Sequence, residues 1–241
     1  MHRVPLSFLH GFMGHPSDWD PIRQGLPEFE SHALEVTPTE GWMSSVVRLA
    51  EIIPQGSVLI GYSMGARLAL GVAMERPEVC SALVFISGNP GLETVEARDQ
   101  RWKWDENTAY RLETEPLADF LEAWYRLPVF ESVPVVVRTA ERDRKLARSA
   151  RDWPAILLAN SISKQPDYWK RLRELSVPTL VVAGQQDEKY RMIAERFVER
   201  TSLPFVAKQI VPNCGHLVHR EQPPTLIGMI RDFLHDALKH E

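Results

Sequence analysis

Cysteine, long hydrophobic runs and excess positive charge are all scarce in this 241-residue chain. Cys80 and Cys214, its only two cysteines, are too few for a disulfide framework or a cysteine-based zinc site. No stretch approaches the ~18 consecutive apolar residues that a membrane-spanning helix needs. We therefore expect a cytoplasmic protein with no membrane partner, no metal and no cofactor.

The charge balance excludes a further class of partner. A formal net charge of −4 is unlike the strongly basic surface that nucleic-acid-binding proteins usually show. With 44% hydrophobic and 25% charged residues, the chain is long enough to bury a core, as one domain or as a domain with an insertion. The sequence predicts no particular oligomeric state.

Short apolar runs rich in β-formers alternate with helical patterns along the chain. This alternation is typical of the α/β class, in which helices cover both faces of a mostly parallel sheet. The predicted strands are VPLSFLH (4–10), HALEVT (32–37), SVLIGY (57–62), ALVFIS (82–87), PTLVVAG (178–184) and FVAKQIV (205–211). The predicted helices between them include 43–53, 64–76, 190–200 and 224–238.

The alternation stops between residues 89 and 176. This segment contains Trp102, Trp104, Trp124, Trp153 and Trp169 and is predicted to be helical, with VPVVV (133–137) as an ambiguous strand. We expect residues 89–176 to form a helical cap, or lid, inserted into a core made of residues 1–88 and 177–241.

A lone serine between two glycines marks the candidate reactive centre. The run Gly61-Tyr62-Ser63-Met64-Gly65 fits the nucleophile elbow, where a strand turns so sharply into a helix that small residues must flank the serine. The predicted strand before it and the predicted helix after it supply the required context. The alternative is a tight turn packed under a helix.

A serine hydroxyl needs a base and an acid that orients the base. The best base is His216, in the loop after the last predicted strand, although His10 and His219 compete with it. Asp187 follows the strand PTLVVAG, so serine, aspartate and histidine occur in the chain order expected after such an elbow. Glu188 is the alternative acid, and either carboxylate could instead cap a helix.

Negative charge that develops on a substrate oxygen needs N–H donors. One is the backbone amide of Met64, directly after the serine, and the other is the amide of Phe12 in FLHGFMG, after the first strand. Together these two amides would form an oxyanion hole, unless FLHGFMG is only a tight turn.

The motifs HGF, GYSMG, GQQD and CGH resemble, in order and over nearly the whole chain, those of the α/β-hydrolase fold. More specifically, the chain is similar to the family of 2-succinyl-6-hydroxy-2,4-cyclohexadiene-1-carboxylate (SHCHC) synthases of menaquinone biosynthesis. This similarity rests on GYSMGAR, GNPGLETVEAR followed by DQR, ADFLEAWYRLPVF, SKQPDYW and CGHLVHREQP. One segment departs from the family, because EVTPTEGWMSS (35–45) stands where relatives usually have Asp-x-Pro-Gly-His-Gly.

The resemblance implies a lyase that eliminates pyruvate from 2-succinyl-5-enolpyruvyl-6-hydroxy-3-cyclohexene-1-carboxylate. Ser63, activated by His216 and Asp187, would remove a proton beside the succinyl carbonyl, with no acyl-enzyme. The implied partner is therefore a small anionic tricarboxylate. The residues that match the family's substrate pocket are Tyr62, Arg67, Arg98, Arg101 and Trp124, and Arg148 or Lys145 would supply a further cation.

Two other functions fit the same residues. A serine esterase or thioesterase would use the triad to form an acyl-enzyme, and a non-catalytic binding protein would need only the fold. The filled triad positions argue against the second of these. For the arginines, the alternative is a solvated helix surface.

Overall fold

The computed structural model describes residues 4–201 and 205–237, and within them six strands form one sheet. The strands are β1 (Pro5–Leu9), β2 (Glu30–Leu34), β3 (Ser57–Tyr62), β4 (Cys80–Ile86), β5 (Thr179–Gly184) and β6 (Val206–Val211). They lie in the order β2-β1-β3-β4-β5-β6, and every neighbouring pair is parallel. The predicted parallel α/β sheet is confirmed.

The helices of the described ranges agree with the sequence pattern where it was periodic. Predicted VPVVV is not a strand, because its last three residues begin the sixth helix, and predicted residue 238 lies outside the described residues. The helices are α1 (Asp20–Gln24), α2 (Trp42–Ile52), α3 (Met64–Glu75), α4 (Val95–Thr114), α5 (Leu117–Trp124), α6 (Val135–Leu146), α7 (Trp153–Ala159), α8 (Glu188–Arg200), α9 (Val218–Glu221) and α10 (Pro223–Ala237).

Both faces of the sheet are covered, as the near-continuous apolar strands require. Along β3, Leu59 packs into the cluster beneath α2, α3 and α8, whereas Val58 and Ile60 pack into the cluster beneath α1 and α10. Alternate side chains of a strand point to opposite faces, so β3 contributes to both cores. Each such fully buried side chain stabilises the fold by about 1.5–3 kcal/mol.

The segment between β4 and β5 contains α4 to α7, and no strand is assigned in it. Its last part packs on the sheet rather than apart from it: Tyr168, Trp169 and Leu172 belong to the same apolar cluster as α2 and α3. The indole nitrogen of Trp42 also donates a hydrogen bond to the Tyr168 hydroxyl (3.3 Å). The limits of the cap at residues 89 and 176 stay a prediction.

A buried carboxylate joins three distant parts of the chain. Asp18, in the loop after β1, is 4% exposed, and its Oδ1 accepts hydrogen bonds from Arg148 (2.9 Å) and Arg220 (2.7 Å). Burial opposes ionisation of Asp18, but the hydrogen bond from Arg148 and the charges of Arg220 and Lys145 outweigh it and hold its pKa well below the usual value. The carboxylate therefore links the β1 loop, the segment after α6 and α9.

The substitution Asp18→Asn should destabilise the fold by about 3 kcal/mol near neutral pH, because two guanidinium groups lose their shared carboxylate. The pKa of Asp18 is lower in the folded than in the unfolded chain. The ionised carboxylate therefore stabilises the fold fully above the unfolded pKa, and this stabilisation is lost as the pH falls from about 5 towards the folded pKa. Urea unfolding should show the gap between wild type and variant narrowing by about 1 kcal/mol at about pH 3. A gap independent of pH would contradict this prediction.

Candidate active site

Ser63 lies at the sharp turn between β3 and α3, with a left-handed φ of 53°. A Cβ on Gly61 would lie 2.4 Å from the Gly65 carbonyl oxygen, and one on Gly65 would lie 2.1 Å from the carbonyl oxygen of Leu9. Both glycines are thus required by close backbone approaches. The turn is held by a hydrogen bond from the Ser63 amide to the carbonyl of Ile86 (2.9 Å), against a strain on the order of 1–3 kcal/mol.

Asp187 and His216 form a buried hydrogen-bonded pair. Asp187 follows β5, His216 lies between β6 and α9, and the distance from His216 Nδ1 to Asp187 Oδ2 is 2.6 Å. A proton on Nδ1 leaves Nε2 free to accept one. The Ser63 hydroxyl makes no hydrogen bond to His216 in this conformation, although both residues line one cavity. The triad as one hydrogen-bonded unit stays a prediction, and catalytic hydrogen bonds commonly tighten only when substrate binds.

Two residues that the sequence analysis missed hold His216 in place. Glu221 accepts hydrogen bonds from the amides on either side of His216, those of Gly215 (2.8 Å) and Leu217 (2.9 Å). The Tyr190 ring packs on the imidazole with 4.6 Å between ring centres. Glu221 lies within the quoted CGHLVHREQP, but nothing in that string indicates which backbone groups its carboxylate binds.

The competing histidines are engaged elsewhere. His10 Nδ1 bonds to the carbonyl of Gly11 (2.8 Å) and its Nε2 accepts from the Val36 amide (3.2 Å), so this ring ties the β1 loop to the β2 loop. His219 packs against Tyr62 with 4.4 Å between ring centres. Burial lowers the pKa of both imidazoles. Neither is paired with a carboxylate, whereas His216 is.

The two predicted oxyanion donors lie on the same cavity as Ser63. Met64 is the first residue of α3, so its amide has no partner within the helix. The Phe12 amide likewise makes no hydrogen bond to the described residues. Two N–H groups are therefore free to bind an oxygen atom of a ligand, and their role as an oxyanion hole stays a prediction.

The cavity has a volume of about 670 Å³ and opens at the carboxyl ends of the strands, where ligands bind in α/β sheets. Its floor is formed by the Ser63 turn, Tyr62 and His216, and its wall includes Arg101 and Trp104 of α4, Trp124 of α5 and Lys145 of α6. The cavity thus combines the elbow with side chains from the predicted cap.

Arg67 is a buried cation without an anionic partner. Its guanidinium donates to Gln165 Oε1 (3.0 Å) and to the carbonyl of Asn160 (2.9 Å), both of them neutral acceptors. No carboxylate of the described residues lies within ion-pair distance of it, and its side chain lines the cavity at 9% exposure. Burial, together with the charge of Arg101, lowers the pKa of Arg67 to about 10, so it stays protonated at neutral pH.

Two further cations of the cavity each have a carboxylate partner. Arg101 Nε donates to Asp105 Oδ1 (2.9 Å), and Lys145 Nζ lies 3.4 Å from Glu141 Oε2. Asp105 and Glu141 are buried. Of the two alternatives left open by the sequence, Lys145 rather than Arg148 faces the cavity.

The structure does not place Arg98 or Arg148 on the cavity, and their contact with a ligand stays a prediction. Arg98 donates to the carbonyls of Ser163 (2.9 Å) and Gln165 (2.7 Å). Arg148 is held by Asp18. Neither arginine lines the cavity, although Asp18, the partner of Arg148, does.

The segment 35–45, which departs from the family pattern, supports one of the cavity residues. It ends in the first turn of α2, where the buried ring of Trp42 lies beneath Arg67 with 5.5 Å from Cζ to the ring centre.

In residues 4–201 and 205–237, no group of three or more His, Cys, Asp or Glu side chains is arranged to hold a metal ion. None of the helices in the same ranges has the length and apolar character needed to cross a membrane.

Comparison with known proteins places the chain among close relatives. A model described as the alpha/beta hydrolase family matches residues 8–227. A Bacillus subtilis protein, provisionally named SHCHC synthase, is 36% identical over 94% of this chain and 88% of its own length. The solved structure of MenH from S. aureus has a TM-score of 0.88 and 26% identity, covering 97% of this chain and 94% of its own. An esterase from Thermogutta terrifontis, at 23% identity, 97% and 90% coverage and a TM-score of 0.76, shares the fold.

Gly65→Ala should destabilise the protein by about 1–3 kcal/mol and displace the β1 loop, because the added Cβ would overlap the Leu9 carbonyl oxygen. Chemical unfolding measures the first effect, and a crystal structure of the variant shows the second.

Gly228→Ala is the matched control, since its Cβ would meet nothing within 4 Å in α10. That change should stabilise the helix by about 0.5–1 kcal/mol. Equal effects of the two substitutions would refute the idea that backbone contact at the elbow demands glycine.

Proposed function

The chain belongs to the alpha/beta hydrolase family, and we propose that within it this protein is a carbon–oxygen lyase. The proposed reaction eliminates pyruvate from 2-succinyl-5-enolpyruvyl-6-hydroxy-3-cyclohexene-1-carboxylate to give SHCHC. The observation that carries the proposal is Arg67, a buried guanidinium without a carboxylate partner on the cavity that also holds Ser63 and His216. A neutral ester has no use for such a charge, whereas a substrate carboxylate supplies the missing partner.

The relatives support the same conclusion. Proteins named SHCHC synthase match nearly the whole chain, including one from Salmonella schwarzengrund at 30% identity over 95% of this chain. The S. aureus neighbour has the same overall fold with little insertion or deletion. The shared fold alone would not distinguish a lyase from an esterase.

In the proposed mechanism Ser63 is the base. His216 Nε2 accepts the hydroxyl proton while Nδ1 stays bonded to Asp187, which orients the ring and stabilises the imidazolium. The serine oxygen then takes the proton from the ring carbon beside the succinyl carbonyl. No acyl-enzyme forms, because the serine attacks hydrogen rather than the carbonyl carbon.

The electron pair left on carbon moves to the succinyl carbonyl oxygen. The amides of Phe12 and Met64 are free to stabilise that oxyanion, since they have no acceptor among the described residues. When the pair returns, the ring double bond shifts, the carbon–oxygen bond to the enolpyruvyl group breaks, and its electron pair leaves with the enolate of pyruvate. The proton held by the triad is then returned to the methylene carbon of this enolate, which gives pyruvate and restores the starting state of Ser63 and His216.

Three cations would bind the carboxylates of the substrate. Arg67 has no carboxylate partner in the protein. Arg101 and Lys145 each keep one protein carboxylate, and their remaining N–H groups can donate to the substrate. Tyr62, whose pKa burial raises well above its usual value, keeps its hydroxyl proton and can donate it. Trp124 supplies an apolar wall beside Phe12, with 5.5 Å between ring centres.

We also propose that residues 89–176 act as the cap of this site. Arg101, Trp104, Trp124 and Lys145 come from that segment and line the cavity. A cap that contributes both cations and aromatic surface would exclude water and so strengthen the charge interactions inside.

Pyruvate release tests the proposed function directly. Purified protein should release pyruvate from the cyclohexene substrate, and Ser63→Ala should lower kcat by about 10²- to 10⁴-fold, because the base is removed. Mass spectrometry during turnover should show no covalent adduct on Ser63. An acyl-enzyme, or turnover of neutral nitrophenyl esters without pyruvate release, would instead establish the esterase.

Arg67→Ala should lower kcat/KM for the tricarboxylate by about 30- to 150-fold, because a shielded charge-assisted hydrogen bond is lost. Arg67→Lys, which keeps the charge but not the paired donors, should fall between wild type and alanine. Efficiency on a neutral nitrophenyl ester is the control and should change little. An equal loss on both substrates would show that Arg67 supports the fold rather than the anion.

A further inference from the structure

The residue that partners Arg67 suggests how the site selects anions. We infer that Gln165 is a positioning residue that determines specificity: it orients Arg67 while leaving the positive charge of that guanidinium uncompensated. The inference rests on the proposed function, since it concerns the binding of an anionic substrate at the same cavity. Gln165 lies in SKQPDYW, a segment to which neither the triad nor the oxyanion donors belong.

The amide of Gln165 is fully buried and satisfied at both ends. Its Oε1 accepts from Arg67 Nη1 (3.0 Å), and its Nε2 donates to the carbonyl of Asn89 (3.2 Å). Only this orientation pairs a donor with an acceptor on each side, so the oxygen faces Arg67. Because the second Arg67 nitrogen bonds to the Asn160 carbonyl (2.9 Å), the guanidinium is held at two points.

The chain on which Gln165 lies is itself fixed by other charged groups. Arg98 donates to the carbonyls of Ser163 and Gln165, which gives this arginine a structural task. At the other end of the segment, the Ser161 hydroxyl donates to Asp105 Oδ2 (2.5 Å), the carboxylate that also holds Arg101. Residues 160–165 thus anchor Arg67 and are tied to Arg98 and, through Asp105, to Arg101.

The chemistry of the partner distinguishes Arg67 from its neighbours. Arg101 and Lys145 each pair with a buried carboxylate, but Arg67 pairs with an amide and a peptide carbonyl. A glutamate at position 165 would have nearly the same shape and would bind the guanidinium more strongly. It would also neutralise the charge that a substrate carboxylate needs, so the neutral side chain favours ligand binding over an internal ion pair.

Gln165→Glu tests this inference with almost no change in shape. We expect KM for the tricarboxylate to rise by about tenfold to a hundredfold, because the new carboxylate competes for Arg67, while kcat changes less than about threefold. Gln165→Met removes both hydrogen bonds of the amide, to Arg67 and to Asn89, without adding charge and should raise KM by less than about tenfold. Both variants lose the bond to Asn89, so only the new charge and its bond to Arg67 distinguish the glutamate. The melting temperature of each variant shows whether the fold is intact.

Two controls separate the proposed role from a general effect of charge or packing. Gln55→Glu adds the same charge at an exposed residue before β3, at the opposite end of the strand from Ser63, and should leave KM within about twofold of wild type. In an Arg67→Ala background, Gln165→Glu should add less than about threefold, since it acts through Arg67. An additive loss in the double variant would overturn the inference.

The outcomes also distinguish this inference from the proposed function. If the wild-type protein releases no pyruvate, the proposed function is contradicted. The role of Gln165 can still be tested by measuring citrate binding by calorimetry, because that role requires only a tricarboxylate anion. Weaker citrate binding to Gln165→Glu than to Gln165→Met supports the role. Equal KM in the glutamate and methionine variants, or equal citrate affinity including no measurable binding to either, overturns it.

Discussion

The close approach of α3 to β1 is the constraint on which the site depends. With no side chain at Gly65, the first turn of α3 lies against the Leu9 carbonyl, directly after the positive φ of Ser63. The same approach brings the unpaired Phe12 amide, just beyond β1, to the cavity that the Met64 amide also lines. One backbone contact therefore brings Ser63 and the residues of two free amides to the same cavity.

The position of Arg67 is fixed by α3. The Arg67 amide donates to the Ser63 carbonyl (3.1 Å), one turn beyond the elbow, so Ser63 and the unpaired cation belong to one rigid element. Elsewhere the buried charges are compensated, Asp18 by two guanidinium groups and Glu141 by Lys145. An uncompensated buried charge is costly, and where it persists on a cavity wall, function is the physical reason for keeping it.

The parts of the site that sequence could predict are those set by local chain geometry. The elbow, Asp187 and His216 each lie directly after a strand, where a short motif and its position along the chain suffice. The sequence could not show that Arg98 and Arg148 bind protein acceptors, because the direction of a long side chain depends on which carbonyls and carboxylates surround its helix. The roles of Gln165 and Tyr190 depend on contacts across the fold, so no local spacing indicates them.

The fold, like the site, was predictable where local sequence decides it. Apolar runs identified the parallel strands. In VPVVV, by contrast, the β-branched residues are not buried in a strand: Val135 and Val136 are exposed in the first turn of α6, after Pro134. Proline next to a helix start fixes the entry of the chain, and exposed valines there cost little. A strand interpretation would have required a neighbouring strand to satisfy its backbone, which the sequence between β4 and β5 does not supply.

Different parts of the chain supply the reactive groups and the charged lining of the cavity, which explains how one fold can suit both hydrolysis and elimination. The core provides the elbow, the His–Asp pair and the free amides, a set that suits an esterase as well as a lyase. Arg101, Trp124 and Lys145 come instead from helices between β4 and β5, where insertions and substitutions leave the sheet intact. Under the proposed function, selection of a polyanion follows from these helices, which place Arg101 and Lys145 on the same cavity as Arg67, and from Gln165, whose neutral amide holds Arg67. In that proposal, the charges decide which substrate enters and which of its atoms lies against the serine oxygen, and the substrate in turn decides the reaction.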